Sequence, residues 1–316
     1  MRSPSFGRAA LATRVLLLCL AVSLAPAARA ADEPHRVTIV VDAFGEPASA
    51  LRLDWGYAAL VEYAGKRILF DTGNDAEVFA RNVQTLGIDL TRLDFVVISH
   101  RHGDHTDGLR HLLAVNPKVT IYAPDDEYFG GATPPAFFQR PVPGLPARMR
   151  YFGGHVPALV PHGSPWRAAN VVRVADLVEA APGMRIVRNK ADTGPFADTP
   201  ELSLAIDTAA GQVLVVGCSH PGIERILRSA GAPDRAVHGV IGGLHLVTAT
   251  DAAIERLVGV IKDELRVAQV APGHCTGEPA FAAFQRRYGD RYRYAGAGTV
   301  IELPAPRRGA PAGGFE

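Results

Sequence analysis

Cysteine is scarce in this chain, with three among 316 residues. Small exported folds that rely on disulfides carry more of them, in pairs. A cysteine framework is therefore excluded as the main source of stability. Charge of one sign is lacking as well. The 33 Lys and Arg and the 32 Asp and Glu nearly cancel, for a formal net charge of +1, and no basic block stands out. A nucleic-acid partner gets no electrostatic support from this balance. No short-period repeat is present. What is there is apolar: 47% hydrophobic residues against 21% charged ones fit a soluble globular protein with a full core.

The first thirty residues differ from the rest. Arg2, Arg8 and Arg14 give a positive start, Val15 to Leu24 is an apolar stretch, and Ala28-Arg29-Ala30 is a small-x-small site before Ala31. Together these predict a secretory signal peptide over residues 1–30, cleaved after Ala30. The apolar stretch is too short for a stable membrane span, and an uncleaved anchor is the lesser alternative. This segment has no paired Arg-Arg, which favours the general secretion route. Cleavage removes Arg2, Arg8, Arg14 and Arg29 and no acid, so the net charge passes from +1 to −3. The mature chain is expected to be periplasmic or secreted, with Cys218 and Cys275 its two remaining cysteines. Each sits beside a histidine in a Gly-flanked turn, a setting that suits a site better than a disulfide between them.

Alternating strand-like and helix-like segments run through the mature chain. Strands are predicted at Val37–Val41, Ala58–Tyr63, Arg67–Phe70, Phe95–Ser99 and Val119–Ala123. Helical spacing covers Ala76–Leu86, capped by Asn74 or Asp75, and a further helix is expected from about Asp107 to Val115. From Pro124 to Pro200 the pattern weakens. Prolines crowd this stretch and aromatics are interleaved, among them Tyr128, Phe129, Tyr151, Phe152 and Trp166. Disordered segments are normally poor in aromatics, and long loops are usually functional. The reading is an ordered cover over a pocket, about 124–200, against a surface insertion packed on itself. After Pro200 come strands at Leu202–Ile206 and Val213–Val216, a helix at Pro221–Ser229 and a strand at Val237–Ile241. A helix at Thr250–Glu264, a strand at Val267–Val270, a helix at Glu278–Tyr288 and a strand at Thr299–Glu302 complete the pattern. The domain is expected to run over 31–303, with a frayed tail at 304–316.

The densest chemistry is at Ser99-His100-Arg101-His102-Gly103-Asp104-His105. It follows the apolar β-branched run Phe95-Val96-Val97-Ile98, so the histidines belong at the carboxyl edge of a buried strand. Alternation puts His100 and His102 on one face. Asp104 and His105 fall where a helix begins and can address a second point in space. Grouped nitrogen and carboxylate donors suit a borderline metal such as zinc. His220, His245 and His274 also follow apolar strands, each with a glycine nearby, and strand ends of one sandwich converge on a cleft.

The run resembles the signature of the metallo-β-lactamase superfamily, and Leu69-Phe70-Asp71-Thr72-Gly73 is similar to its first motif. Gly217-Cys218-Ser219-His220-Pro221-Gly222, Ile241-Gly242-Gly243-Leu244-His245-Leu246 and His274-Cys275-Thr276-Gly277 resemble one branch of it. That branch is the 7,8-dihydropterin-6-methyl-4-(β-D-ribofuranosyl)aminobenzene-5'-phosphate synthase-like proteins. The resemblance covers roughly residues 36–302. It implies an α/β fold, a four-layer αββα sandwich, and two divalent metal ions. Zinc is the first expectation, with iron or manganese as alternatives the same donors admit.

On that resemblance His100 and His102 bind the first ion, Asp104 and His105 the second, and His274 completes the second. The superfamily's separate third histidine has no obvious counterpart, because Pro200-Glu201-Leu202-Ser203 occupies that region. His220 is proposed to supply the missing ligand of the first ion. Cys218 is the candidate for the bridging position, with a tight-turn role as its alternative. His245 is a spare histidine suited to protonating a leaving group, with substrate anchor or further ligand as competing roles. Asp71 is expected to stay off the metal and to fix the tautomer of a ligand histidine. Cys275 is read as a neighbour of His274 rather than a ligand. His35, His111, His155, His162 and His238 are left as surface histidines.

The functional expectation is an exported metallo-hydrolase that uses a metal-activated hydroxide, oriented by Asp104, on an ester or phosphodiester-type small molecule. The branch's synthase reaction is an alternative that the export signal disfavours, and a non-catalytic metal-binding or redox-sensing module is another. The expected partner is a small-molecule substrate; nothing in the chain fixes an oligomeric state.

Overall fold

The protein is described from a computed structural model over residues 33–46, 49–130, 132–133, 144, 146–157, 160–161, 166, 168–230 and 236–307. The expected signal peptide, the tail from 308, and residues 134–143 and 162–165 of the expected cover lie outside these described residues. Pro34–Glu316 forms one unit.

The chain begins with β1 (Arg36–Val41), β2 (Ala58–Tyr63) and β3 (Lys66–Phe70), then α1 (Ala76–Thr85) and β4 (Phe95–Val97). α2 (Gly103–Thr106), α3 (Leu109–Val115), β5 (Thr120–Pro124), the two-residue strands β6 (Ala132–Thr133) and β7 (Val160–Pro161), and β8 (Asn170–Val174) follow. The second half holds β9 (Leu177–Ala181), β10 (Met184–Asn189), β11 (Glu201–Thr208), β12 (Gly211–Val216), α4 (Ile223–Ala230) and β13 (Val237–Gly243). It ends with α5 (Asp251–Gly259), β14 (Gln269–Gly273), α6 (Glu278–Tyr288) and β15 (Val300–Glu302).

Two sheets carry the fold. One runs β15-β1-β2-β3-β4-β5-β8 and the other β14-β13-β12-β11-β10-β9. Each combines an antiparallel part with a parallel one: β3, β4, β5 and β8 pair in parallel in the first, and β12, β13 and β14 in the second. Residue alternation builds the layers. Phe95 and Val97 of β4 join Val213 and Val215 of β12 in the core between the sheets. Val96 and Ile98 instead pack with Phe79 of α1 and Leu109 and Leu112 of α3. Leu214 and Val216 pack with Ile226 of α4, Leu257 of α5 and Phe284 of α6. Helices thus cover the outer face of each sheet, which is the αββα sandwich. Each such side chain contributes roughly 1.5–3 kcal/mol by leaving water.

Local signals explain the element ends. Asp75 caps α1, its Oδ1 accepting from the N–H of Glu77 at 2.8 Å and of Val78 at 2.9 Å. Thr250 caps α5, which passes into a π-helical turn over Val260–Glu264.

Three features differ from the sequence reading. Residues 170–189 of the expected cover form β8, β9 and β10. β8 and β9 are edge strands of the two sheets. The polar residues Arg173, Glu179, Arg185 and Arg188 dilute the alternation there, so the pattern read as weak. The helix after the histidine run starts at Gly103 rather than Asp107 and breaks before Leu109. β14 begins at Gln269 and extends to Gly273, beyond the expected end at Val270.

Candidate metal centre

Chain direction explains why the polar residues meet. The carboxyl ends of β1, β3 and β4 lie on one edge of the first sheet, because β1 and β3 each run antiparallel to β2 and β4 runs parallel to β3. The carboxyl ends of β12, β13 and β14 share an edge of the second sheet, together with the amino end of antiparallel β11. The Leu202 N–H donates to the Ser99 carbonyl at 2.7 Å and joins the two edges.

On the turn after β4, His100 is fully buried. The Ser99 hydroxyl donates to Asp71 Oδ2 at 2.7 Å and stands 2.9 Å from His100 Nδ1. With the hydroxyl proton spent on Asp71, His100 Nδ1 is the donor and Nε2 keeps its lone pair. That Nε2 lies 2.9 Å from His102 Nδ1. The His220 ring centre is 4.6 Å from that of His100 and 4.9 Å from that of His102. One nitrogen from each of the three rings falls within a 4.8 Å cluster.

His220 is held by Glu201, a residue the sequence reading passed over. The Glu201 carboxylate is 1% exposed and accepts from the backbone N–H of Cys218 at 2.8 Å, Ser219 at 2.7 Å and His220 at 2.9 Å. Its Oε2 also lies 3.1 Å from His220 Nδ1, which leaves Nε2 toward the cluster. Burial alone would push the Glu201 carboxyl up, but the His220 ring and these N–H groups outweigh it and hold it below its usual range.

The second cluster unites Asp104, His105 and His274. Asp104 Oδ2 is 3.8 Å from His105 Nε2 and 3.5 Å from His274 Nε2. His105 Nδ1 lies 2.7 Å from Asp71 Oδ2, and Asp71 also accepts from the Ser99 N–H at 2.6 Å. Burial works against the His105 imidazolium, yet the Asp71 carboxylate prevails and carries it up to about 9 without metal. Burial also raises the Asp71 carboxyl, with His105 opposing. The His274 N–H donates to Asp42 Oδ2 at 3.0 Å. Burial lifts Asp42 to about 7, while that N–H pulls the other way.

His274 decides whether the residues fit a cation. Its side chain is buried, and neither ring nitrogen has a hydrogen-bond partner. Buried polar groups are normally satisfied, so such an orphan demands an explanation. Burial and the neighbouring imidazoles push His274 and His100 well below the usual histidine range, and His102 down to about 4. Neutral imidazoles with free lone pairs are the ligating form. The donor set fits divalent cations: His100, His102 and His220 would hold one, and Asp104, His105 and His274 another. Cys218 lies between, its Sγ 3.2 Å from His105 Nε2 and in one cluster with His100 and His105. Burial raises its thiol well above the usual value; adjacent cations reverse that preference.

Backbone strain concentrates here. Asp71, Ser219, His245 and His274 adopt left-handed φ of 57°, 64°, 49° and 48°, a conformation that persists in non-glycine residues only when surroundings impose it. At Gly217 a Cβ would overlap the Ser99 hydroxyl and approach Asp71 Oδ2 to 3.2 Å, so glycine lets the second sheet's turn close on the first.

His245 forms the rim. Its ring centre is 4.5 Å from that of His220 and 4.9 Å from that of Phe196, and its Nδ1 has no partner. Proximity of Cys275 raises its pKa, against the opposing effect of burial. Phe196, from the expected cover, stands with its ring centre 4.3 Å from that of His220 and 6.0 Å from that of His102. Arg101 ties that segment down: Nη1 donates to Asp126 Oδ2 at 2.9 Å and to the Asp198 carbonyl at 2.8 Å, and Nη2 to Asp198 Oδ2 at 2.8 Å. Two cover aromatics, Phe129 and Trp166, pack on the first sheet's helix side instead.

Asp42 and Glu201 had a sequence signal. Asp42 follows the largely apolar run Val37–Val41 as Asp71 follows Leu69-Phe70, and Glu201 opens a strand whose residues, polar ones included, are nearly all buried. Of the histidines left aside, His35 and His111 pack against Tyr63 and Phe79, and His155 is exposed.

The model of the β-lactamase superfamily domain matches residues 66–147, which contain Asp71 and the whole histidine turn. A 7,8-dihydropterin-6-methyl-4-(β-D-ribofuranosyl)aminobenzene-5'-phosphate synthase of Methanocaldococcus jannaschii is 31% identical over 257 residues, 75% of this chain and 85% of that protein. This chain belongs to the metallo-β-lactamase superfamily. The archaeal relative places it in the branch that bears the synthase's name. A solved metal-dependent hydrolase of the β-lactamase superfamily overlays with a TM-score of 0.65 at 26% identity, covering 85% of this chain and 99% of its own. The metallo-β-lactamase fold protein YhfI of Bacillus subtilis shares the fold, with a TM-score of 0.51 at 15% identity over 84% of this chain and 99% of its own.

Proposed function

We propose that this metallo-β-lactamase-fold protein is an exported metal-dependent hydrolase of small esters or phosphodiesters. The observation that carries this reading is the meeting of two three-donor clusters, His100–His102–His220 and Asp104–His105–His274, at one edge of both sheets. When bound there, divalent cations, zinc first among them, lower the pKa of a water and polarise the electrophilic oxygen of a substrate.

The chain's own residues supply the rest. Asp71 and Glu201 hold His105 and His220 through their Nδ1 atoms, which fixes the ligating tautomer and aim of each ring. Asp104, at the partly exposed mouth, orients the attacking water. Phe196 walls the cleft beside His102, His220 and His245 and limits water access. His245, half-buried at the rim and with its pKa raised by Cys275 beside it, donates a proton to the leaving group.

The N-terminal segment 1–30 favours export, and no described helix is long and apolar enough to cross a membrane. The synthase reading has its own support in the 31% identity to the archaeal enzyme. Export argues against it, because a condensation of a pterin with an aminobenzene-ribosyl phosphate draws on intracellular substrates. Metal-loaded mature protein should turn over chromogenic esters or phosphodiesters, and His102→Ala should not. Condensation of the dihydropterin and ribosyl-phosphate pair by protein inert to both panels would contradict the hydrolase.

A further inference from the structure

A third donor set lies beside the two clusters. Cys218, His274 and Cys275 bring two thiols and an imidazole within 4.8 Å of one another. They are 3%, 1% and 2% exposed, and no disulfide joins the cysteines. Cys275 stands on the turn that follows β14, Cys218 on the turn that follows β12, so the pairing is tertiary. The Cys275 Sγ is 3.7 Å from the Cys218 carbonyl oxygen. At Gly243, on the intervening strand, a Cβ would come 2.9 Å from Cys275 Sγ and 3.2 Å from His274 Cδ2. The same Cβ would come 2.4 Å from the Gly217 carbonyl oxygen, so glycine here lets the turn after β12 and the turn after β14 both close on β13.

Buried cysteines usually serve as small apolar packing residues. Here the two sulfurs converge, and they share their space with an imidazole whose nitrogens are both unpartnered. Packing alone explains neither.

We propose that Cys218, His274 and Cys275 form a separate site for a thiophilic divalent cation, sharing His274 with the oxygen–nitrogen cluster of Asp104, His105 and His274. Thiolates select soft cations such as cadmium and zinc, whereas carboxylate and imidazole also accept manganese. Sharing His274 makes the two placements alternatives. A soft cation entering the sulfur set therefore displaces a harder one from this half of the centre. Each metal–sulfur bond forms to a thiolate, so a thiol that is still protonated gives up its proton to solvent as its bond forms. The proposal rests on the metal-centre reading through His274 and through Cys218, which also lies within reach of His100 and His105.

The test is a cadmium titration of metal-free and of manganese-loaded protein, followed by ultraviolet thiolate-to-cadmium absorption and by manganese release. Metal-free protein should develop the absorption, and cadmium should drive manganese out of the loaded form. Cys275→Ser should lose about half of the absorption and weaken cadmium binding by more than the roughly 10–100-fold typical of losing an outer-shell partner. The same variant should load manganese as the parent does, which also reports that it folds. Cadmium binding without thiolate absorption, equal absorption in parent and Cys275→Ser, or manganese that cadmium does not displace would each overturn the sulfur site while leaving the metal centre intact. Protein that binds neither manganese nor cadmium would refute the metal centre itself.

Discussion

The two sheets contribute to the centre in different ways. The first delivers His100, His102, Asp104 and His105 from a single six-residue turn after β4. The second delivers Cys218, His220, His245 and His274 from three separate strand ends. Donors on one turn are placed by local geometry and a short helix. Donors on three strands depend on the sheet register, and there each ligand turn needs its own anchor. Glu201 under Cys218–His220 and Asp42 under His274 are those anchors. On the first sheet one carboxylate, Asp71, gathers both Ser99 and His105.

The largest effect should come from removing a donor on either side. His102→Ala and His274→Ala are each expected to cut turnover by about 10³-fold or more, since several kcal/mol of charge stabilisation depend on the cations. Similar losses would show that the two sheets share one centre. A variant on one side retaining full activity would split them.

Next in size is His245. His245→Gln should slow substrates with poor leaving groups by about 10²-fold, the lower end for a lost general acid, and leave activated aryl esters nearly untouched. Equal losses on both kinds of substrate would assign the ring to anchoring.

The anchoring carboxylates should have smaller effects, felt in metal affinity. Glu201→Gln should weaken metal binding by roughly 10–100-fold, most visibly for the ion held by His220. Asp71→Asn should do the same for the ion held by His105. Site-resolved metal affinity measures both. If Glu201→Gln left metal affinity unchanged, the second sheet's turns would need no anchor.

Acid should act on both sheets. His102 is held down to about 4, and His100 and His274 lie well below their usual range. The unfolded chain, with histidines near ~6.5, binds more protons than the fold between these values, so stability rises with pH there. Metal-free protein should lose stability as pH falls from about 6.5 toward 4. Asp42, raised to about 7, works the other way over the same window. Asp42→Asn should therefore steepen the loss, read as the midpoint of thermal unfolding against pH.

The smallest effect belongs to Phe196. Phe196→Ala should raise KM for aromatic esters about fivefold, in line with ~1 kcal/mol for an aromatic contact, with little change in kcat.

The same asymmetry governs how much could be read in advance. His100, His102, Asp104 and His105 are adjacent in sequence and follow an apolar strand, so their convergence is local and legible. His220 and His274 are visible as strand-end histidines, but their meeting depends on β12 and β14 flanking β13. Glu201 and Asp42 are single acids at strand ends, and only tertiary structure shows the N–H groups they collect. β8, β9 and β10 were hidden because Arg173, Glu179, Arg185 and Arg188 interrupt their apolar alternation. Phe196 lay in that same stretch, and its place depends on the pairing of Arg101 with Asp198.

Metal content of the purified protein after exhaustive dialysis decides whether both sheets build a two-cation centre. Two divalent ions per chain are predicted, falling to about one in His102→Ala and in His274→Ala as each loses one cluster. Wild-type protein without divalent metal, or variants that retain the full wild-type content, would contradict it.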